Sequence, residues 1–121
     1  MSAEIVDTAG GVLTMKIAGK LTCPELRAVQ KNAAEILQQQ SKLSLLVLTE
    51  RFEGWEREGD WGDLSFQMEN DPGIRKMAIV VEKKWEDLAL MFVGKGFRKF
   101  PIEYFQPTDV AKARAWLAAE Q

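Results

Sequence analysis

The spacing of apolar positions changes several times along this chain, and each change predicts an element. EIVDT (4–8) and VLTMKIAG (12–19) are short, rich in β-branched or apolar residues and separated by Ala-Gly-Gly. That is the pattern of a β-hairpin, with glycine supplying positive φ at the turn. Leu26, Val29, Ala33, Ile36 and Leu37 then recur at helical spacing while Arg27, Lys31 and Glu35 face away, which predicts an amphipathic helix within 21–40. Thr22 and Glu25 have capping-box spacing at its start, and Pro24 lies in the first turn, where a missing N–H is no loss. LSLLVLT (43–49) and KMAIVVE (76–82) are continuous apolar runs, as strands covered on both faces should be.

A second helix is expected from about Asp60, with Trp61, Leu64 and Met68 on one side and Asn70-Asp-Pro-Gly as the turn that closes it. KWEDLALMFVGKGFRKF (84–100) reads as a third helix. PIEYF (101–105) reads as a last strand, which Pro101 confines to an edge or a strand start. Thr108 is expected to cap a final helix, DVAKARAWLAAE (109–120), with Asp109 near the positive end of its dipole. The order is β-β-α-β-α-β-α-β-α. Alternation after the hairpin calls for an α/β fold with a mostly parallel sheet, in one domain spanning 1–121.

Composition narrows the chemistry more than the fold. The 121 residues are 46% hydrophobic and 28% charged, ordinary values for a globular chain, and the net charge of −2 argues against a nucleic-acid partner. The N-terminus MSAEIVDTAGG lacks the basic start and apolar run of a secretory signal, and no apolar stretch reaches the roughly 18 to 20 residues of a membrane span. One cysteine, Cys23, allows no internal disulfide, and a cytoplasmic location is expected. The chain has no histidine, which removes the Ser-His-Asp and Cys-His dyads and the commonest metal ligand. No catalytic residue, metal site or cofactor is therefore expected. Cys23, at a helix N-terminus but without a base, reads as a small buried hydrophobe.

Several segments carry a resemblance: GKLTCPEL, LLVLTERFEGWE after the central strand, GDWGDL at the next helix start, KMAIVVEKKWE, and EYFQPTDVAKARAWL near the end. Taken together they resemble the SpoIIAA-like family of small bacterial proteins in the STAS superfamily, over nearly the whole chain. The FEGW and RAWL segments are the most specific. The resemblance implies a STAS-like fold, related in outline to lipid-binding CRAL-TRIO (Sec14-like) domains, in a family mostly of unknown function. Anti-sigma factor antagonists of that superfamily place a phosphorylatable serine at the start of the helix after the central strand. Here the region reads EREGDWGDL, without serine or threonine, and Ser65 falls deeper in the expected helix. No phosphorylation site is expected.

In open α/β sheets, ligands bind outside the carboxyl ends of the strands. After strands 43–49 and 76–82 those ends carry Glu50, Arg51, Phe52, Glu53 and Trp55, and Lys84 and Trp85. These seven residues are the candidate ligand- or partner-binding rim. Trp55, in a glycine-flanked loop, is the better working residue, and Trp61 belongs with the core. The run Leu88–Val93 is apolar all round. If Trp85, Leu88, Ala89 and Phe92 face the sheet, Leu90 and Met91 point outward and, with Phe97 beside Lys95, Arg98 and Lys99, form an interface or lipid contact. The leading expectation is a non-enzymatic binding module, self-associating as a homodimer, that takes a protein partner or a small apolar ligand. The alternative is a lipid or membrane-surface carrier of CRAL-TRIO type using helix 88–93. A carboxylate-based hydrolase drawing on Glu53, Glu56, Glu58, Asp60 and Asp63 is the weaker third.

Overall fold

Five strands lie side by side in the order in which the chain makes them, β1-β2-β3-β4-β5. They are β1 (Ala3–Asp7), β2 (Val12–Ala18), β3 (Leu43–Glu50), β4 (Ile74–Val80) and β5 (Ile102–Phe105). β1 runs antiparallel to β2, and β2 through β5 are parallel neighbours, so the sheet is mixed. The computed structural model describes residues 3–39, 42–56, 69–96 and 98–119. The helix expected from Asp60, with Trp61, Leu64, Ser65 and Met68, lies outside the described residues, as do Glu58, Asp63 and Phe97.

Among the described residues three helices flank the sheet: α1 (Cys23–Gln39), α2 (Glu86–Val93) and α3 (Val110–Ala118). The hairpin turns where expected, with Gly10 and Gly11 at φ 64° and 77°. The capping box at α1 forms as its spacing predicts: the Glu25 amide donates to Thr22 Oγ1 (3.3 Å), whose hydroxyl donates to Glu25 Oε1 (2.7 Å). Cys23 is buried in that first turn.

Two expectations need correction. The helix expected over 84–100 is shorter, because a 3-10 turn at 83–85 leads into it and Gly94, at φ 79°, ends it after Val93 with an αL cap. Thr108 caps nothing. It lies within a 3-10 turn over Pro107–Asp109, where proline fixes a tight turn, and α3 starts only at Val110 without a side-chain cap.

The core has two unequal halves. On one face of the sheet Leu13, Ile17, Leu45, Val47, Met77 and Ile79 meet Val29, Ala33 and Leu37 of α1 and Ala89 of α2. On the other, Leu46, Ala78 and Val80 are covered by Ala113 and Leu117 of α3. β3 and β4 supply both halves, which is why their sequences alternate so little. Beneath α3 lies a cation: Lys76 is 2% exposed, and its Nζ donates to the carbonyls of Trp116 (2.6 Å) and Ala119 (2.9 Å). A bulge in β4 places it there. Leu43 and Leu45 pair with Ile74 and Met77, so one residue of β3, Ser44, opposes two of β4, Arg75 and Lys76.

Candidate functional site

Strand order decides where a pocket forms. Ligand crevices at the carboxyl ends of parallel strands arise where the winding of the sheet reverses. Here each parallel strand adds on the same side of the last, so the described strands show no reversal and form no crevice of that kind. The cavity lies instead on the α1/α2 face of the sheet and has a volume of about 340 Å³. Its floor is the run of alternate side chains Met15, Ile17, Leu45, Val47, Met77 and Ile79, and Leu26 of α1 and Ala89, Phe92 and Val93 of α2 close its sides.

The segment after β3 builds its aromatic wall. Arg51 takes a positive φ of 50°, uncommon outside glycine, and the chain bends there without changing direction. It then zips onto the residues after β2: the Glu53 amide donates to the Gly19 carbonyl (2.9 Å), the Leu21 amide to Gly54 (2.9 Å) and the Glu56 amide to Leu21 (2.9 Å). The ladder ends in a parallel bridge between Leu21 and Trp55. A polar loop can thus hold an indole as firmly as a strand would. Phe52 and Trp55 meet edge to face with ring centres 5.2 Å apart, and Trp55 lies 4.7 Å from Phe92. Trp85 packs behind them, 5.1 Å from Phe52 and 6.2 Å from Trp55. Its ring fits against Gly54, whose φ of 94° and lack of a Cβ both matter at that contact.

Of the seven rim residues, Phe52 and Trp55 line the cavity, and Trp85 backs them without lining it. Glu50, Arg51, Glu53 and Lys84 are exposed outside it. Glu50 forms an ion pair with Lys16 at 2.5 Å. That hydrogen bond and charge lower the Glu50 pKa and raise that of Lys16. The expected phase of helix 88–93 is corrected as well. Leu90 packs against the core rather than pointing outward, whereas Leu88, expected against the sheet, is 48% exposed. Met91 does face outward, at 75% exposure. Six apolar residues in a row carry no phase, and the 3-10 turn at 83–85 sets one that puts Ala89, Phe92 and Val93 inward.

The polar groups of the cavity are residues that sequence spacing did not single out. Thr49 Oγ1 donates to the Val80 carbonyl (2.8 Å). Arg27 Nη1 donates to Gln30 Oε1 (2.8 Å) on α1. Arg98 is held by both oxygens of Asp71, with its Nε 3.0 Å from Oδ2, and also donates to the Val93 carbonyl (3.2 Å). The sequence pattern puts Arg27 on a solvent-facing helical position and Arg98 beside the expected interface or lipid contact, and neither reading points to a cavity. The indole N–H groups of Trp55 and Trp85 are buried and have no acceptor among the described residues. Among the described residues no three His, Cys, Asp or Glu side chains gather as a metal ion would require.

A family model for SpoIIAA-like proteins matches residues 12–118. The chain belongs to the SpoIIAA-like family. Its fold agrees with a solved SpoIIAA-like structure, an uncharacterized protein of the DUF3478 family from Shewanella loihica PV-4. The two are 21% identical and superpose with a TM-score of 0.71 over 95% of this chain and 91% of that one. At that identity the likeness speaks for the fold alone. No curated protein matches the chain. No helix among the described residues of this SpoIIAA-like protein is long and apolar enough to cross a membrane.

Proposed function

We propose that this SpoIIAA-like protein is a non-enzymatic binding module that takes a small apolar ligand in the cavity between the sheet and helices α1 and α2. The observation that carries the reading is the state of the cavity wall. It is mainly aliphatic and aromatic, and, of its polar side chains, Thr49, Arg27 and Arg98 already donate to protein acceptors while Gln30 accepts from Arg27. A ligand there meets mainly apolar surface, worth about 25 cal/mol per Å² removed from water. The volume of about 340 Å³ is at the small end of ligand sites and suits a body on the order of ten non-hydrogen atoms, such as a short acyl chain or one or two rings. Among the described residues no carboxylate lines the cavity, and Glu50, Glu53 and Glu56 stand exposed outside it, so nothing there resembles an acid–base pair.

Native mass spectrometry of freshly purified protein tests this. The expected result is a small-molecule adduct, or uptake of added decanoic acid, that is lost in Ala89→Phe, where the new ring occupies the cavity. A protein that stays ligand-free and takes up no such probe would refute the reading. A second reading, a homodimer through α2, is favoured by Leu88 and Met91, the two large apolar side chains that α2 exposes. The same spectra report it: a dimer mass that Met91→Lys converts to monomer supports that contact.

A further inference from the structure

At the amino end of the parallel strands, away from the apolar cavity, four cations line one open groove of about 440 Å³: Lys42, Arg75, Lys76 and Lys99. No acidic side chain is among the described residues that line it, in a chain whose net charge is −2. Helix carboxyl ends attract cations, and that accounts for Lys76, whose Nζ is bonded to the last carbonyls of α3. It does not account for the other three. Lys42, just before β3, Arg75, set into solvent by the β4 bulge, and Lys99, ahead of β5, are all exposed, and none has an ion pair or side-chain hydrogen bond among the described residues.

Three positive charges that line one groove, with no partner among the described residues, repel one another, and a multivalent anion relieves that repulsion. Arginine adds a planar fork suited to two phosphate oxygens, and the lysines add mobile point charges. Ile74, Phe100 and Pro101 complete the groove with apolar surface on which an organic group can rest. We infer that this groove binds a soluble phosphate-bearing anion of two or more negative charges, independently of whatever occupies the apolar cavity.

The test is an amide ¹H–¹⁵N titration of the full chain with pyrophosphate, with sodium chloride at equal ionic strength as control. Saturable shifts centred on Lys42, Arg75 and Lys99, about two- to fivefold weaker binding in each of Arg75→Gln and Lys99→Gln, and weakening with added salt are expected. Both positions are exposed, so the rest of the spectrum should not change in the variants. Shifts that match the chloride control, or that survive both substitutions unchanged, would mean an adventitious ion only and overturn the inference. So would binding to phosphatidylglycerol vesicles with no response to pyrophosphate, since the recognised phosphate would then belong to a lipid surface.

Discussion

The ammonium of Lys76 sits 2.6 Å from the carbonyl oxygen of Trp116 and 4.7 Å from the centre of the same residue's ring. One side chain thus ties the middle of the sheet to the last turn of α3 through both backbone and indole. A buried charge is tolerated because the carbonyls at the end of the helix replace its water. Lys76→Met should cost about 2 kcal/mol, since it leaves two carbonyls without their charged donor. Lys76→Arg should not restore the loss, because a planar fork does not fit where a compact ammonium is fully enclosed. Urea unfolding midpoints of the three proteins check both statements.

Asp71 and Arg98 form the most buried ion pair among the described residues, with side chains 18% and 9% exposed. The pair links the turn before β4 to the segment that follows α2 at one edge of the cavity, and the guanidinium also lies 4.6 Å from the Phe100 ring. Asp71→Asn would leave that guanidinium without its counter-charge, and a loss of about 3 kcal/mol is expected. The double variant Asp71→Asn, Arg98→Met should lose less than the sum of the single changes, and a double-mutant cycle by chemical denaturation measures the difference.

Gly54 should accept no side chain. A Cβ there would lie 3.1 Å from Cη2 of Trp85, and the backbone φ of 94° is a glycine conformation. Gly54→Ala should destabilise by about 2 kcal/mol, part steric and part conformational. Adding Trp85→Phe should relieve the steric part and leave the conformational part. The expected order of melting temperatures is therefore wild type, the double variant, then Gly54→Ala, with Trp85→Phe alone as the reference for the lost ring.

Tyr104 is the chain's only tyrosine, so its phenolate absorbance reports one site. Its hydroxyl is buried without a hydrogen-bond partner among the described residues, and burial first, then the charges of Glu86 and Asp109, push its pKa above the ordinary 10.0. A folded value above the unfolded one means stability that is complete below pH 10.0 and lost as pH rises through the folded value. Lys16, raised above 10.5 by Glu50, acts in the same direction at the same alkaline end. Glu50 acts at the opposite end: its lowered pKa gives stability present above 4.5 and lost as pH falls through the folded value. The absorbance midpoint should exceed 10.0, and Tyr104→Phe should blunt the alkaline loss of stability without touching the acid side.

The elements legible in the sequence were those with local causes. The hairpin needed two glycines at positive φ, the start of α1 a Thr–Glu pair, and β3 and β4 unbroken apolar runs; each could be read without knowing its neighbours. The aromatic wall was partly legible, because tryptophan in a glycine-flanked polar loop is out of place unless something holds it. What held it was a backbone ladder to residues 19–21, a pairing between segments that no spacing reveals. The same limit hid Lys76 and Arg98. Each looks like one more surface cation until α3 and Asp71, brought in from distant parts of the chain, cover it. The orientation of α2 failed for a different reason, since an all-apolar run leaves its inward face to be chosen by the turn before it.

The chain-order sheet has a consequence for synthesis. Each strand that leaves the ribosome can join the free edge of the strands already made, with no slot to be held open for a later arrival. One interaction escapes that economy. The carbonyl partners of Lys76 lie 40 and 43 residues downstream, so in a growing chain its ammonium is held by water on an uncovered face of the sheet until α3 emerges. Docking of α3 is then the step that turns an assembled sheet into a sealed one, and a ribosome-bound chain arrested before Trp116 should remain open to protease on that face alone.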